Sequence, residues 1–153
     1  MKLRDLMKDN PKTVTVDCTL KEAAMLMDQV DTGVLPVVEG NKQNPSQNPI
    51  GVLTDRDMVV RCISQGRDPN TTTVEEAFTP GTVYCMEDET DKDAILKMRQ
   101  EKVGRILVKG NGNTILGVVS MAGILRRLPE SAWDFLEAAA SNTNREASEK
   151  KAV

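Results

Sequence analysis

The sequence predicts an α/β fold of the α+β type, built from two related β-α-β-β-α repeats that bury their sheet faces against each other. Residues 51–57 (Gly-Val-Leu-Thr-Asp-Arg-Asp) read as an apolar strand running into a hydroxyl residue, and a similar stretch returns at 117–123. Residues 17–27 also align without a gap on 88–98. Because one unit of about 60 residues leaves an apolar sheet face uncovered, the second unit is expected to cover it.

Each repeat begins with a helical turn, a strand and a helix. In the first repeat these are a turn at 3–7, a strand at 13–16 and a helix opened by Thr19. Glu22 stands three positions after Thr19, which is the spacing of a capping box, and the apolar residues that follow recur at helical intervals. The second repeat matches with a turn at 74–78, a strand at 83–86 and a helix opened by Thr90 with Asp93.

Two further strands and a closing helix complete each repeat. The predicted strands are 34–38 and 50–53, then 105–109 and 115–119, and the closing helices begin at Thr54 and Ser120. Gly66 is a plausible end for the first of them. The first repeat has five extra residues before its last strand, and residues 39–49 are rich in Asn, Gln, Pro and Gly, which predicts an irregular solvated loop. The shorter stretch 110–113 suits a tight turn.

These elements predict the domain organisation of the chain. The first repeat is expected over 1–66 and the second over 74–128, with a polar linker at 67–73. Residues 129–140 contain Trp133 and Phe135 and predict an amphipathic helix, which either packs on the body or contacts a partner. The polar stretch 141–153 predicts disorder.

Composition excludes several classes of function. The chain has no histidine, which removes the commonest general base and metal ligand. A net charge of −3 and four aromatic residues argue against nucleic-acid binding. No apolar run approaches the roughly 18 residues of a membrane span, and three cysteines at unpatterned spacings predict reduced thiols, so a cytoplasmic protein without a membrane segment is expected.

The ordered set of motifs resembles a tandem pair of cystathionine-β-synthase (CBS) domains, also called a Bateman module. The matching pieces are 19–23 (Thr-Leu-Lys-Glu-Ala) with Met27, 35–38 (Leu-Pro-Val-Val) and 51–57, with weaker partners in the second half. Together they span about residues 1–128. Any single piece is weak, whereas the ordered set occurring twice is specific.

The resemblance implies a regulatory binding module and not an enzyme. Such pairs form a pseudo-twofold unit with two clefts, and many bind adenosine-containing ligands there: AMP, ADP, ATP, S-adenosylmethionine, NAD or cyclic di-AMP. They commonly assemble into homodimers. No cofactor is required by this interpretation, an adenosine nucleotide is the expected ligand, and an unidentified protein partner is compatible with it.

Thr54 and Asp57 are the leading candidates for ligand binding. Thr54 is predicted at a helix N-terminus, where backbone N–H groups favour an anion such as phosphate. The two oxygens of the Asp57 carboxylate suit the vicinal hydroxyls of a ribose, and the resemblance implies the same roles. The structural alternative is that the pair only caps the helix. In the second repeat Ser120 keeps the cap, but Gly123 stands where a carboxylate is expected, so at most one well-formed adenosine site is predicted.

Further site residues are expected in an adenine slot and at the phosphates. The resemblance assigns the slot to Thr15 with Val16 and to 34–36 (Val34, Leu35 and Pro36), although Val16 and Leu35 equally suit the core. Arg105 is the candidate for reaching a phosphate across the cleft, and Arg56 flanks the opening of the first closing helix. The alternative for Arg105 is a surface ion pair.

A function of a different class remains open at this point. In it the pair is a ligand-free dimerisation or protein-interaction module, and Thr54 and Asp57 have only a capping role. An enzyme with a carboxylate-only site is a more distant alternative, because the sequence has no nucleophile and base at a recognisable spacing.

Overall fold

The computed structural model describes residues 1–129. Residues Met1–Met121 form one compact unit, and a second begins at Ala122. The helix predicted over 129–140, apart from its first residue, and the tail predicted over 141–153 lie outside the described residues. None of the helices in the described range is long and apolar enough to cross a bilayer.

The order of elements follows the predicted repeat. The first six are β1 (Lys8–Asp9), β2 (Val14–Thr15), α1 (Leu20–Val30), β3 (Val34–Asn41), β4 (Asn44–Thr54) and α2 (Asp55–Arg61). The next six are β5 (Thr79–Pro80), β6 (Tyr84–Met86), α3 (Asp91–Glu101), β7 (Arg105–Lys109), β8 (Ile115–Ser120) and α4 (Met121–Leu125). Short 3-10 turns occupy Leu3–Asp5, Ile63–Gln65, Val74–Glu76 and Asn111–Asn113.

The predicted helix caps are confirmed. Thr19 and Glu22 form a reciprocal capping box at the start of α1, and Thr90 and Asp93 do the same for α3. In each case the hydroxyl accepts from the backbone N–H three residues on, and the carboxylate accepts from the backbone N–H of the threonine, which satisfies two donors that have no partner inside the helix. Gly66 ends the 3-10 turn that follows α2, with a left-handed φ of 67°.

The irregular loop predicted over 39–49 is wrong. β3 continues to Asn41 and β4 begins at Asn44, so that only two residues separate the strands. The backbone amides of Gln43 and Asn44 both donate to the Asn41 side-chain oxygen at 3.0 Å, and this side chain closes the turn. The two prolines on β4 favour a loop when only the sequence is considered. The β3–β4 pairing accommodates them through register shifts near Val38.

The two repeats exchange strands. One sheet has the order β2-β3-β4-β5 and the other β1-β8-β7-β6, each mixing parallel and antiparallel pairs. β5 lies within the second repeat in the chain yet pairs with β4 of the first, and β1 lies within the first repeat yet pairs with β8 of the second. Each sheet is therefore completed by a segment that the sequence assigns to the other half.

A core of buried side chains lies between the first sheet and its helices. α1 contributes one face, β3 and β4 contribute alternate residues, and the turn that leads into β5 contributes two more. The members are Val14, Leu20, Ala23, Met27, Leu35, Val37, Leu53, Cys62, Val74 and Ala77. Because Val74 and Ala77 come from the opening turn of the second repeat, the exchange extends to the core.

Lys109 on β7 is a buried lysine, only 4% exposed. Its Nζ donates to Asn113 Oδ1 at 2.7 Å and to Thr82 Oγ1 at 3.3 Å, and it lies 4.0 Å from the centre of the Tyr84 ring. The Asn113 amide donates in turn to the side-chain oxygen of Asn48 on β4. A polar network around one ammonium therefore links the two sheets. Burial lowers the pKa of Lys109, because the ammonium loses water that neutral partners replace only in part.

Replacing Lys109 by methionine is expected to flatten the dependence of stability on alkaline pH. The folded pKa of Lys109 lies below its unfolded value of about 10.4. Between the two values the unfolded chain binds more protons, so the free energy of unfolding from this group rises with pH. Urea denaturation from pH 7 to 10 measures the slope, with the exposed Lys92→Met as control. Equal slopes in wild type and Lys109→Met would contradict the assignment.

The described part of the second unit is short. It comprises residues 122–129, which continue α4 into a turn. In that turn the amide of Arg126 donates to the carbonyl oxygen of Ala122 at 3.1 Å, and the amide of Leu128 donates to that of Leu125 at 3.2 Å.

Candidate functional site

The candidate site is the junction between β4 and α2, and its two central residues form a capping box. The Asp57 amide donates to Thr54 Oγ1 at 3.1 Å, and the Thr54 amide donates to Asp57 Oδ2 at 2.9 Å. The capping role that the sequence allowed for this pair is therefore present. The capping box uses Oδ2 of Asp57, whereas Oδ1 takes no part in it.

The remaining backbone donors at the start of α2 are also occupied. The Asp55 amide donates to the carbonyl oxygen of Gly33 at 3.0 Å, and the Arg56 amide donates to Asp55 Oδ1 at 2.8 Å. Gly33 permits this arrangement, because a Cβ there would stand 2.7 Å from Asp55 Oδ2. With Thr54 and Asp57 paired as above, each of the four N–H groups that the helix leaves unbonded has an acceptor within the protein.

The second oxygen of Asp57 has only weak partners. Oδ1 lies 3.5 Å from Thr79 Oγ1 and 3.8 Å from Arg61 Nη1, both longer than a well-formed hydrogen bond. The side chain is 14% exposed and can therefore be reached from solvent. Oδ1 is the acceptor through which Asp57 can bind a hydroxyl donor without breaking the cap.

Arg61 binds the residues that precede the exchanged strand β5 to this junction. Its Nη1 donates to the carbonyl oxygens of Ala77 at 2.7 Å and Phe78 at 2.9 Å, immediately before β5. Thr79 is the first residue of β5, which comes from the second repeat, and its hydroxyl lies beside the Asp57 carboxylate. The sequence interpretation assigned no role to Thr79. An i,i+4 spacing to Asp57 was available for Arg61, but nothing local places Thr79 there, since the contact depends on strand exchange.

Among the predicted slot residues, Val34 lies nearest to the junction. It is the cross-strand partner of Thr54, and Pro36 is the partner of Val52. Directly opposed residues on antiparallel strands project to the same face, so Val34 and Thr54 are neighbours. Leu35 alternates to the other face and belongs to the buried core, with 1% exposed, in keeping with the core role that its sequence allowed.

Thr15 and Val16 are not brought to this junction. Thr15 pairs with Val38, four residues along β3 from Val34, a separation of about 13 Å at the usual strand rise. It is 2% exposed, and its hydroxyl donates to the Asp17 carboxylate. Val16 packs half-buried against the core.

The predicted basic residues are exposed. Arg56 lies on α2, and Arg105 opens β7 as the cross-strand partner of half-buried Ser120. Within residues 1–129, neither guanidinium has a salt bridge, so the surface ion pair considered for Arg105 is not formed with any described carboxylate.

A cleft of about 170 Å³ lies beside Val34. Three valines and a proline form its apolar part, and two lysines, one hydroxyl residue and residues of the β1 segment also line it. The lining residues are Lys8, Asp9, Asn10, Pro11, Lys12, Val30, Thr32, Val34 and Val118. Val34 is the residue that this cleft shares with the predicted site, and Val118 brings in the second sheet. In the part of the chain that the structure describes, no cluster of three or more His, Cys, Asp or Glu residues is arranged to hold a metal ion.

Comparison with known proteins agrees with this architecture. The family model for the CBS domain matches residues 3–63 and again 74–130. Hypoxic response protein 1 of Mycobacterium tuberculosis is 32% identical over 129 residues, covering 84% of this chain and 86% of that protein. The CBS domain-containing protein YhcV of Bacillus subtilis is 32% identical over 122 residues, covering 80% and 81%.

Solved structures show the same fold. The crystal structure of hypoxic response protein I, which has two coordinated zinc ions, superposes with a TM-score of 0.71 at 30% identity and covers 84% of this chain and all of that one. The CBS domain pair of protein MJ0100, in complex with 5′-methylthioadenosine and S-adenosyl-L-methionine, superposes with a TM-score of 0.70 at 22% identity and covers 82% and 94%. With two matched domains, two four-stranded sheets and relatives matched over more than four-fifths of both chains at 32% identity, the chain belongs to the CBS domain family as a tandem pair.

Proposed function

We propose that this CBS pair is a regulatory sensor of an adenosine-containing ligand and not an enzyme. The observation that carries the proposal is Asp57 Oδ1, which has only long contacts to Thr79 and Arg61 and belongs to a side chain that is 14% exposed. A ribose hydroxyl donating to this oxygen gains a charge-assisted hydrogen bond while the capping box stays intact. The ligands of the MJ0100 pair, both of which contain adenosine, support the same class.

In this proposal the other residues surround the ribose. Val34 and Pro36 supply apolar surface, and Thr54 and Ser120 close the strand-to-helix junctions. Arg56 and Arg105 are exposed and are the basic residues proposed for a charged group of the ligand. A ligand that contacts both Asp57 and the exchanged strand β5 favours the arrangement of β5 for which it has the higher affinity. This difference in affinity between two arrangements of β5 is the physical basis of a signal.

Titration calorimetry with a panel of adenosine compounds tests the proposal. Asp57→Asn is expected to weaken the best ligand at least tenfold, since a hydrogen bond to a charged group contributes roughly 1.5–3 kcal/mol. Asp93→Asn is the matched control, because Asp93 has the same capping role on α3 away from the site. Loss of cap stability is then common to both variants, whereas loss of affinity is confined to Asp57→Asn. Unchanged binding in Asp57→Asn removes the ribose contact.

A homodimer working in the cytoplasm is the proposed setting. α2 and the turn after it present Val59, Val60 and Ile63, which are 52%, 46% and 65% exposed. The alternative of a ligand-free dimerisation module draws on these side chains and on the complete capping box. The same titration separates the two, because the alternative requires that no member of the panel binds.

A further inference from the structure

We propose that Thr79, on the exchanged strand β5, is a second ligand-binding residue of the Asp57 site and binds one of the two ribose hydroxyls. This inference rests on the proposed function, since it concerns the same ribose. Thr79 belongs to the second repeat and follows Asp57 by 22 residues in the chain. The hydrogen bonds of Asp57, the register of β5 and the contacts that hold this strand support the inference.

The capping box limits what Asp57 alone can bind. A carboxylate binds two adjacent hydroxyls most simply when one donates to each of its oxygens. In this chain Oδ2 already accepts from the Thr54 amide at 2.9 Å, whereas Oδ1 has only long contacts. One ribose hydroxyl can therefore donate to Oδ1 with the cap intact, and the neighbouring hydroxyl needs another partner.

The hydroxyl of Thr79 is placed to be that partner. Its Oγ1 lies 3.5 Å from Asp57 Oδ1, which is too long for a strong hydrogen bond between two oxygens. Within residues 1–129 this long contact is the one hydrogen bond that the Thr79 hydroxyl makes. A hydroxyl donates one hydrogen bond and accepts two, so it suits a ribose hydroxyl in either direction. Asp57 Oδ1 and Thr79 Oγ1 thus stand side by side, as the two hydroxyls of a ribose do.

The register of the first sheet places Thr79 on the face of the predicted slot. Thr79 is the cross-strand partner of Val52 on β4, and Val52 is in turn the partner of Pro36 on β3. Directly opposed residues project to the same face, so these three side chains form a row across three strands. Val34 lies two residues before Pro36 and shares that face. Thr79 therefore lies on the same face as the apolar surface proposed for the ligand.

The backbone on both sides of Thr79 is held by hydrogen bonds. Arg61 Nη1 donates to the carbonyl oxygens of the two preceding residues, at 2.7 and 2.9 Å. The amide of Gly81, two residues further on, donates to the carbonyl oxygen of Ile50 at 2.9 Å. In this arrangement of β5 the Thr79 side chain is already in position, so a ligand does not have to order it, which favours affinity.

Adenosine and its two deoxy analogues test the assignment, because each analogue lacks one ribose hydroxyl. Thr79→Val removes the threonine hydroxyl and keeps the branched shape of the side chain. It is expected to weaken adenosine binding about three- to tenfold, as the loss of one neutral hydrogen bond does. The same substitution should leave the affinity for one of 2′-deoxyadenosine and 3′-deoxyadenosine unchanged, since one of them lacks the hydroxyl that Thr79 binds. Calorimetry on the full chain measures all three compounds.

Thr114→Val is the matched control. Thr114 is also half-buried, but it directly precedes β8 in the second sheet, so its substitution should weaken none of the three compounds. The comparison among compounds also corrects for any loss of stability. A partly unfolded variant loses affinity for all three by the same factor, because only the folded fraction binds.

The outcomes separate this inference from the proposed function. If Thr79→Val weakens all three compounds equally, or weakens none of them, Thr79 binds no ribose hydroxyl, while adenosine binding itself stands. If adenosine does not bind the wild-type chain at millimolar concentration, with the fold intact by circular dichroism, the adenosine site is overturned and the role of Thr79 with it.

Discussion

Replacing Gly51 by alanine is expected to destabilise the protein by about 3 kcal/mol, the upper end of the usual cost of overpacking a close contact. A Cβ on Gly51 would stand 2.3 Å from the carbonyl oxygen of Thr79 and 2.7 Å from two ring carbons of Phe78. The carbonyl belongs to β5, whose Pro80 is the cross-strand partner of Gly51, so the backbone of the exchanged strand has to move.

Gly117 provides the matched control for this substitution. It occupies the equivalent position on β8, but the atoms that an added Cβ would meet belong to the Met7 side chain, at 2.7–2.8 Å. The Met7 Sδ can rotate away, whereas its Cβ at 2.8 Å is fixed to the backbone, so Gly117→Ala is expected to cost about 2 kcal/mol, less than the substitution that meets a backbone carbonyl at 2.3 Å. Urea denaturation followed by circular dichroism compares the two. Equal losses in both variants would show that the close approach of β5 is not the cause.

Separating the two repeats is expected to abolish folding of either half. A chain of residues 1–73 retains β1, which has no sheet to join, and loses β5 together with the core residues Val74 and Ala77. A chain of residues 74–153 loses β1 from the edge of its sheet. Each half is also small, with 73 or 80 residues, and a domain of this size buries a smaller share of its surface than a larger one and is less stable.

Mixing the two halves should restore a cooperative transition, because each then supplies the strand that the other lacks. Thermal unfolding followed by circular dichroism measures this for 1–73 alone, for 74–153 alone and for the equimolar mixture. A cooperative transition in 1–73 alone would mean that the exchanged strand is dispensable. A mixture that behaves as the sum of its parts would mean that the halves do not recognise each other.

The sequence was sufficient for much of the local structure. Thr19 with Glu22 and Thr90 with Asp93 predicted both capping boxes, because a cap depends on residues three positions apart. The repeat predicted two copies of one unit, which the two four-stranded sheets confirm. The hairpin between β3 and β4 was missed because its Pro and Asn content favours loops, whereas pairing with the neighbouring strand decides the matter.

In the candidate site too, the local contacts could be predicted from the sequence and the contacts between distant segments could not. The capping contacts of Thr54 and Asp57 follow from their spacing, as sequence reasoning allowed. The presence of Thr79 beside Asp57 Oδ1, and the bonds from Arg61 to the carbonyls before β5, join segments 16 to 22 residues apart that no local pattern connects. The distance of Thr15 from the junction likewise appears only once β2 is placed beside Val38.

By itself the sequence determined that the strand-to-helix junction occurs twice and that Asp57 stands in one copy while Gly123 stands in the other. Only the tertiary structure decided which donors at that junction are already bonded and which oxygen of Asp57 has only long contacts. The physical reason is the separation along the chain over which each interaction acts. Caps and helix periodicity act over three or four residues. By contrast, the partners of Asp55 and Asp57 include Gly33 and Thr79, which the sheet register and the exchange of strands bring to the junction.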